Sequence, residues 1–323
     1  MKGTLLSMWP ATRRGKSVTA TLLFLLTPGC QPAQQSQGTT AMSDDVQQAL
    51  AWLPADTETI IVAQSPFPNL ESDLRTVAVA CKAVATIGVP KTFGTSIMGK
   101  AKLVVNGSRK YGYPKSLGMC PYEGCKIMSF DSKDMLQVRK VIEKSAKEDA
   151  NLAGIQTWTQ KEKSEKDDWT YTFAIADDRV FCATNAAYLK EVLTRMKDHA
   201  SREALPETLE QWKHVDFDST FWCVRNFSAA SRNLTAGLNM GDKQVIGYGV
   251  VLDPKTEQLK ITSISDNKDQ YSISKKLWEW EGMMPTSKKI DERTSQFVFV
   301  GKDTNYRPVV FVLLAAVGHG VLI

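Results

Sequence analysis

Residues 169–183, WTYTFAIADDRVFCA, decide how the chain is read. Residues 169–176 form a run rich in aromatic and β-forming residues, and residues 180–183 form a second. Asp177 and Asp178 stand between them, so the pair reads as a β-hairpin closed by a two-residue acidic turn. Working outward, residues 184–196 open at Thr184 or Asn185 and repeat Tyr188, Val192 and Met196 every four positions, which predicts an amphipathic helix. Upstream, residues 127–130 and 155–158 read as strands. Between them, Asp131 or Ser132 opens a helix with Met135, Val138 and Ile142 on one face. The charged stretch 161–168, KEKSEKDD, reads as a loop. The order β-α-β-β-β-α suits a mainly antiparallel sheet with helices packed on one face, and the expected class is α+β.

Flanking segments extend the pattern. Ser43 before Asp44 and Asp45 caps a short helix through Leu53, stopped by Pro54, and residues 57–63 (TETIIVA) follow as a strand. Asn69 caps an Ala/Val-rich helix over about 70–87, and residues 101–105 are a strand. Later strands are expected near 220–224, 247–252, 258–263 and 296–300, with Asp253, Pro254, Lys255 and Thr256 as a turn. No short repeat recurs at a fixed period, which excludes a solenoid or propeller.

The amino-terminal residues address the chain. Arg13, Arg14 and Lys16 precede the apolar core Leu22-Leu23-Phe24-Leu25-Leu26, and Pro28, Gly29 and Cys30 follow. A basic start, a short apolar run and small residues at a cleavage point describe a secretory leader, since a membrane span needs about 20 apolar residues. Residues 26–30 (LTPGC) resemble the lipobox of bacterial lipoproteins, which implies lipidation of Cys30. Residues 1–30 are therefore expected to be a leader and 31–43 a flexible tether rich in Gln, Pro, Gly and Thr. Residues 44–323 form the body, as one unit or as two subdomains, about 44–200 and 201–323. Residues 309–323 (VVFVLLAAVGHGVLI) read as a terminal buried element rather than a membrane anchor.

LPADTETIIVA at 53–63 and ATNAAYLKEVLTRM at 183–196 resemble a group of uncharacterised extracytoplasmic bacterial proteins. Their domain opens with a similar L-P-A-D-T phrase and repeats strand–helix–hairpin–helix units. The resemblance covers 44 to about 265 and implies export and an α+β fold. It brings no catalytic residues with it.

Charge excludes one class of partner. The chain holds 40 basic and 35 acidic residues, a formal charge of +5. Lys2, Arg13, Arg14 and Lys16 precede residue 30 and no acid does, leaving 36 basic against 35 acidic residues in the body. Nucleic acid is therefore not an expected partner. The expected partners are the membrane, through the lipid anchor, and an envelope protein or glycan.

Chemical motifs are few. Residues 94–100 (GTSIMGK) match the start of a phosphate loop. Ala101 stands where a Ser or Thr hydroxyl is needed, and a strand follows where a helix should. Cys120 and Cys125 bracket Pro121 and Gly124, so they form a small disulfide loop or remain two free thiols. Cys81, Cys182 and Cys223 lie in apolar segments as small buried hydrophobes. His199, His214 and His319 show no zinc-binding spacing, and no G-x-S-x-G is present. Neither a metal nor a cofactor is expected. Trp278 and Trp280 would share a face on a strand and could stack on a sugar or a partner, although burial is the commoner fate of such residues. Asn106-Gly-Ser, Asn226-Phe-Ser and Asn233-Leu-Thr are formal glycosylation acceptors without meaning in a bacterial setting. The expected function is thus an exported, lipid-anchored, non-catalytic binding or structural protein of the cell envelope. The alternatives are an extracytoplasmic hydrolase-like enzyme assembled from scattered residues and a carbohydrate-binding or adhesive module.

Overall fold

A computed structural model describes residues 41–65, 81, 89–93, 97–109, 123–163, 168–229, 232, 245–253, 256, 258–266 and 285–300. All of them belong to one compact unit, Thr39–Ile323. The expected leader, the tether through residue 40, the helix over 70–87 apart from Cys81, and residues 309–323 lie outside the described residues, as do Cys30, Cys120, Trp278 and Trp280.

Twelve strands form one antiparallel sheet. In chain order they are β1 (Thr59–Gln64), β2 (Leu103–Arg109), β3 (Glu123–Ser129), β4 (Lys147–Leu152), β5 (Ile155–Lys163), β6 (Asp168–Ala176), β7 (Arg179–Ala183), β8 (Phe221–Asn226), β9 (Val245–Asp253), β10 (Gln258–Ser265), β11 (Thr286–Lys289) and β12 (Thr294–Val300). The order across the sheet is β11-β12-β10-β9-β8-β1-β2-β3-β7-β6-β5-β4. Strands from before residue 200 and after it therefore join edge to edge, through the β1–β8 pair. Three helices with defined bounds accompany the sheet among the described residues: α1 (Asp44–Trp52), α2 (Ser132–Ser145) and α3 (Ala186–Lys197).

Cross-strand partners in an antiparallel sheet point to the same side, so the register sorts every strand residue onto one of two faces. The first face carries Ile60, Val62, Val105, Ile127, Phe181, Trp222 and Val251, all buried with α1 and α3 in one apolar cluster. The second carries Val104, Met128, Val180, Cys182 and Phe173, packed with α2 and with Phe93, Ile97 and Met98.

This arrangement corrects the expected fold class. The protein is a sheet-dominated fold built on a single open twelve-stranded sheet, not an α+β sheet with its helices on one face. An apolar stripe tells that a helix is buried but not against which side of a sheet. The connections decide that: α2 carries the chain from β3 to the far edge strand β4 over the second face, whereas α3 leaves β7 over the first. Two edge-region strands also escaped the sequence reading. β4, KEDANL, has no buried residue, and β11, TSKK, is mostly exposed, so neither shows the apolar alternation that marks a strand. Their charges suit their places, because lysines and acids on an outer strand discourage pairing with another chain.

The L-P-A-D-T phrase has a local structural purpose. Leu53 ends α1 and lies against β2 at Gly107, where a Cβ would come within 2.4 Å of a Leu53 methyl. Thr57 N–H donates to the Pro54 carbonyl at 3.0 Å, turning the chain into β1. Asp56 meets the Arg109 guanidinium at 3.1 Å, and the Thr57 hydroxyl bonds the Tyr188 hydroxyl at 2.8 Å. Arg109 also contacts Glu123 and Glu191, each at 2.9 Å, tying the end of β2 and the start of β3 to α3.

Candidate functional site

Of the expected site residues Cys30, Cys120, Cys125, Trp278 and Trp280, only Cys125 lies among the described residues. Cys125 lies on β3, buried in the first-face cluster, and it is a free thiol; its expected partner Cys120 is outside the described residues. Burial pushes the Cys125 and Cys223 thiols far above their usual range and Cys182 up to about 12, so none of the three supplies a thiolate at neutral pH. His199 sits just beyond α3 with a left-handed φ of 49°. His214 ends a short 3-10 turn, Glu210–His214, where burial lowers its pKa. The nearby Asp216 accepts from the Asp218 N–H at 3.1 Å as an ordinary turn residue. Lys100 of the glycine-bearing loop is ion-paired with Asp134 at 3.2 Å, and β2 begins three residues later. No group of three or more potential metal ligands clusters among the described residues.

The unusual chemistry lies on the second face of the central strands. One cross-strand row runs Ser108 (β2), Thr59 (β1), Arg225 (β8), Tyr248 (β9), Ser263 (β10) and Ser295 (β12). At about 4.8 Å per strand it spans about 24 Å. Each of its members is polar, and all except the half-buried Tyr248 are buried. Two residues along, the neighbouring row starts with Lys126 and Asn106 and then turns apolar through Ile61, Cys223, Val250, Ile261 and Phe297. The third row, with Met128, Val104, Ala63 and Phe221 on the central strands, is wholly apolar. The second face is therefore graded, from greasy at one end of the strands to polar at the other.

Lys126, Asn106, Thr59 and Ser108 form a compact patch within this gradient. Asn106 is 1% exposed, and neither its amide nitrogen nor its carbonyl oxygen has a hydrogen-bond partner. The Thr59 hydroxyl, on the adjacent strand, is likewise buried without a partner, as is that of Ser263 further along the row. Each such group costs about 1–3 kcal/mol relative to a solvated one, and buried polar atoms without partners are rare enough to need a reason. Lys126 stands directly opposite Asn106 on β3 and opposite Cys182 on β7. Burial lowers its pKa to about 8, still leaving it mostly protonated at pH 7. Arg225 stacks on Phe227, with the guanidinium carbon 3.8 Å from the ring centre. The strand positions on this face from β3 to β12 hold two cations, Lys126 and Arg225, and no carboxylate.

Sequence reasoning passed over this patch because it valued Thr59 only as a strand residue, ended the second strand at Val105 so that Asn106 was read as a formal glycosylation acceptor, and began β3 at Ile127. The available signal was a lysine or an asparagine inside an otherwise apolar strand run, CKIM and LVVN. Residues of those types are seldom fully buried without a specific partner. The burial of Asn106 also makes it unsuitable as a glycan acceptor.

No family model matches the chain, and no curated protein matches it. Among solved structures, crystal form I of TP0453 shares 9% identity at a TM-score of 0.47, covering 83% of this chain and 97% of that one. Crystal form III of the same protein shares 10% identity at a TM-score of 0.47, covering 82% and 97%. At that level the likeness bears on neither the site nor the function.

Proposed function

We propose that the protein is an exported, lipid-anchored binding protein of the bacterial cell envelope and that it is not a catalyst. The leader supports this reading. Twin arginines, a short leucine-rich run and Cys30 lie ahead of a polar tether, which is the order needed to translocate a domain and leave it attached by an acyl chain. Binding is favoured over catalysis by the character of the central patch. Its members are an amide, hydroxyls and a lysine fixed on adjacent strands of a rigid sheet, an arrangement suited to holding a polar group.

Fractionation of cells expressing wild type and Cys30→Ala, with mass spectrometry of the amino-terminal peptide, tests the reading. Wild type should sediment with membranes and begin at a diacylated Cys30, and the variant should lose the lipid. An unmodified Met1 peptide in the cytosol would overturn it, and saturable turnover of an envelope substrate by the purified protein would overturn its non-catalytic part.

A further inference from the structure

The outer side of α2 is patterned as closely as its buried side. Met135, Val138 and Ile142 pack on the second face of the sheet. At 3.6 residues per turn, the opposite side of the helix falls at Lys133, Lys140 and Lys144, aligned along about 16 Å of its length. All three are exposed. Leu136 stands between Lys133 and Lys140 and is 66% exposed, more than any other large apolar side chain among the described residues. Most acids around the helix are engaged: Asp131 with Lys102, Asp134 with Lys100 at 3.2 Å, and Glu143 at 4.0 Å from Arg139. Glu148, on the outer strand β4, shares this side of the sheet with Trp158. With 36 basic against 35 acidic residues in the body, the ridge is a local concentration of positive charge and not the average surface.

We propose that the outer side of α2 docks on an anionic phospholipid surface, with Lys133, Lys140 and Lys144 at the lipid phosphates and Leu136 entering between the headgroups. A single exposed leucine is ordinary on any protein. Set within a ridge of lysines, it matches what an interfacial helix presents to a bilayer, where lysine stems lie along the acyl boundary and their ammonium groups reach the phosphates. A nucleic acid would meet the lysines but gain little from the leucine. The docking extends the membrane attachment proposed above, and rests on it for bringing the body to a bilayer. Residues 31–43, between Cys30 and α1, reach about 45 Å when extended. That exceeds three stacked layers of roughly 10 Å each, so an anchor on the α1 side still lets the second face lie on the membrane.

Lysine acetylation read by mass spectrometry tests the docking, on the full chain carrying Cys30→Ala so that no acyl chain contributes. The vesicles are phosphatidylcholine, alone or mixed with phosphatidylglycerol. On mixed vesicles Lys133, Lys140 and Lys144 should react several-fold more slowly, whereas Lys190, exposed on α3 over the first face, should react as in solution. Phosphatidylcholine alone should protect none of them, and salt of about 1 M, with a Debye length of about 3 Å, should abolish the protection. Reversing all three lysines to Glu should lower affinity for mixed vesicles at least a hundredfold, at about fivefold per lysine. Leu136→Ala, at an exposed position, should lower it about fivefold or more. The proposal is overturned if the three lysines stay as reactive as Lys190 on mixed vesicles, even where the chain itself binds, or if the triple variant binds undiminished. Equal protection by duplex DNA at matched phosphate concentration would make the ridge a general polyanion contact and overturn the lipid assignment. None of these outcomes bears on lipidation of Cys30, which the amino-terminal peptide decides; a cytosolic Met1 peptide would remove the anchor and leave the vesicle result unchanged.

Discussion

On β1 and β2 consecutive residues live in opposite worlds. Ile60, Val62 and Val105 point to the first face and meet α1 and α3, whereas Thr59 and Asn106, one residue away, point to the second face and meet no hydrogen-bonding partner. Both sets are equally buried. The difference teaches that burial and satisfaction are separate properties. The first face is packed as a core, where atoms are close enough that an added methyl has no room. The second face keeps a polar lining at a cost that dispersion and apolar burial elsewhere must offset. A protein selected for stability alone would carry apolar residues at 59 and 106, as it carries valine at 62 and 105.

The first face should break most severely at its tightest approach. The 3-10 turn at Glu210–His214 comes down on β9 at Gly247 and Gly249. A Cβ on Gly247 would lie 2.2 Å from the Arg225 carbonyl and 2.3 Å from the Gln211 amide nitrogen. The carbonyl is ladder backbone and cannot swing aside, so Gly247→Ala should cost about 3 kcal/mol or more, read as a fall in the urea midpoint or as insoluble expression. Leu53→Ala probes the same face by subtraction. Leu53 is fully buried and fills the notch above Gly107, so the variant should lose about 2–5 kcal/mol. If either variant unfolds at the wild-type midpoint, the first face is not the packed core described.

The second face can be probed by pH. Lys126 has a pKa of about 8 in the folded protein, lowered by burial, against 10.5 ordinarily. Between those values the unfolded chain binds a proton that the folded one does not, so stability rises with pH across the window. Below pH 8 the cost of the buried charge is fully present. The gain between pH 7.5 and 10.5 amounts to about 3 kcal/mol at most. Buried thiols titrate in the opposite sense over part of that range, so the informative quantity is wild type minus Lys126→Met. Urea unfolding at both ends of the range should show that difference growing with pH; a flat difference would mean that Lys126 is not buried in this way.

Much of the scaffold was legible in the residues. The hairpin of β6 and β7 needed only its two apolar runs and the Asp177-Asp178 turn, and α2 and α3 needed only their three- and four-residue apolar spacing with Asp131 and Asn185 ahead of them. Asn185 caps as its type suggests, its side chain accepting from the Ala187 and Tyr188 N–H groups at 2.8 and 3.0 Å. β4 was illegible because an edge strand facing water has no apolar alternation to show. The faces chosen by the helices were illegible because handedness of a crossover is a property of the whole sheet. The polar row was hidden for a deeper reason: Ser108, Thr59, Arg225, Tyr248, Ser263 and Ser295 come from six strands spread over nearly 240 residues of sequence, and only the register makes them neighbours. Each is unremarkable alone.

The smallest expected effect is the sharpest discriminator between the faces. Thr59→Val swaps a hydroxyl for a methyl at nearly constant shape, a change that ordinarily costs stability when the hydroxyl is bonded. At Thr59 the oxygen is buried and unbonded, so its removal forfeits no protein hydrogen bond and relieves a desolvation cost. The variant should unfold within about 1 kcal/mol of wild type, on the stable side. Thr57→Val, two residues earlier, removes the hydroxyl that bonds Tyr188 at 2.8 Å and leaves that phenol unpaired in the first-face core, so it should lose about 1–3 kcal/mol. The same substitution, on the same segment and at similar burial, should therefore change sign between the two faces. Denaturant midpoints of the pair measure this directly. If Thr59→Val destabilises as much as Thr57→Val, the Thr59 hydroxyl has a structural partner, and the polar patch is part of the scaffold rather than a place kept open for something else.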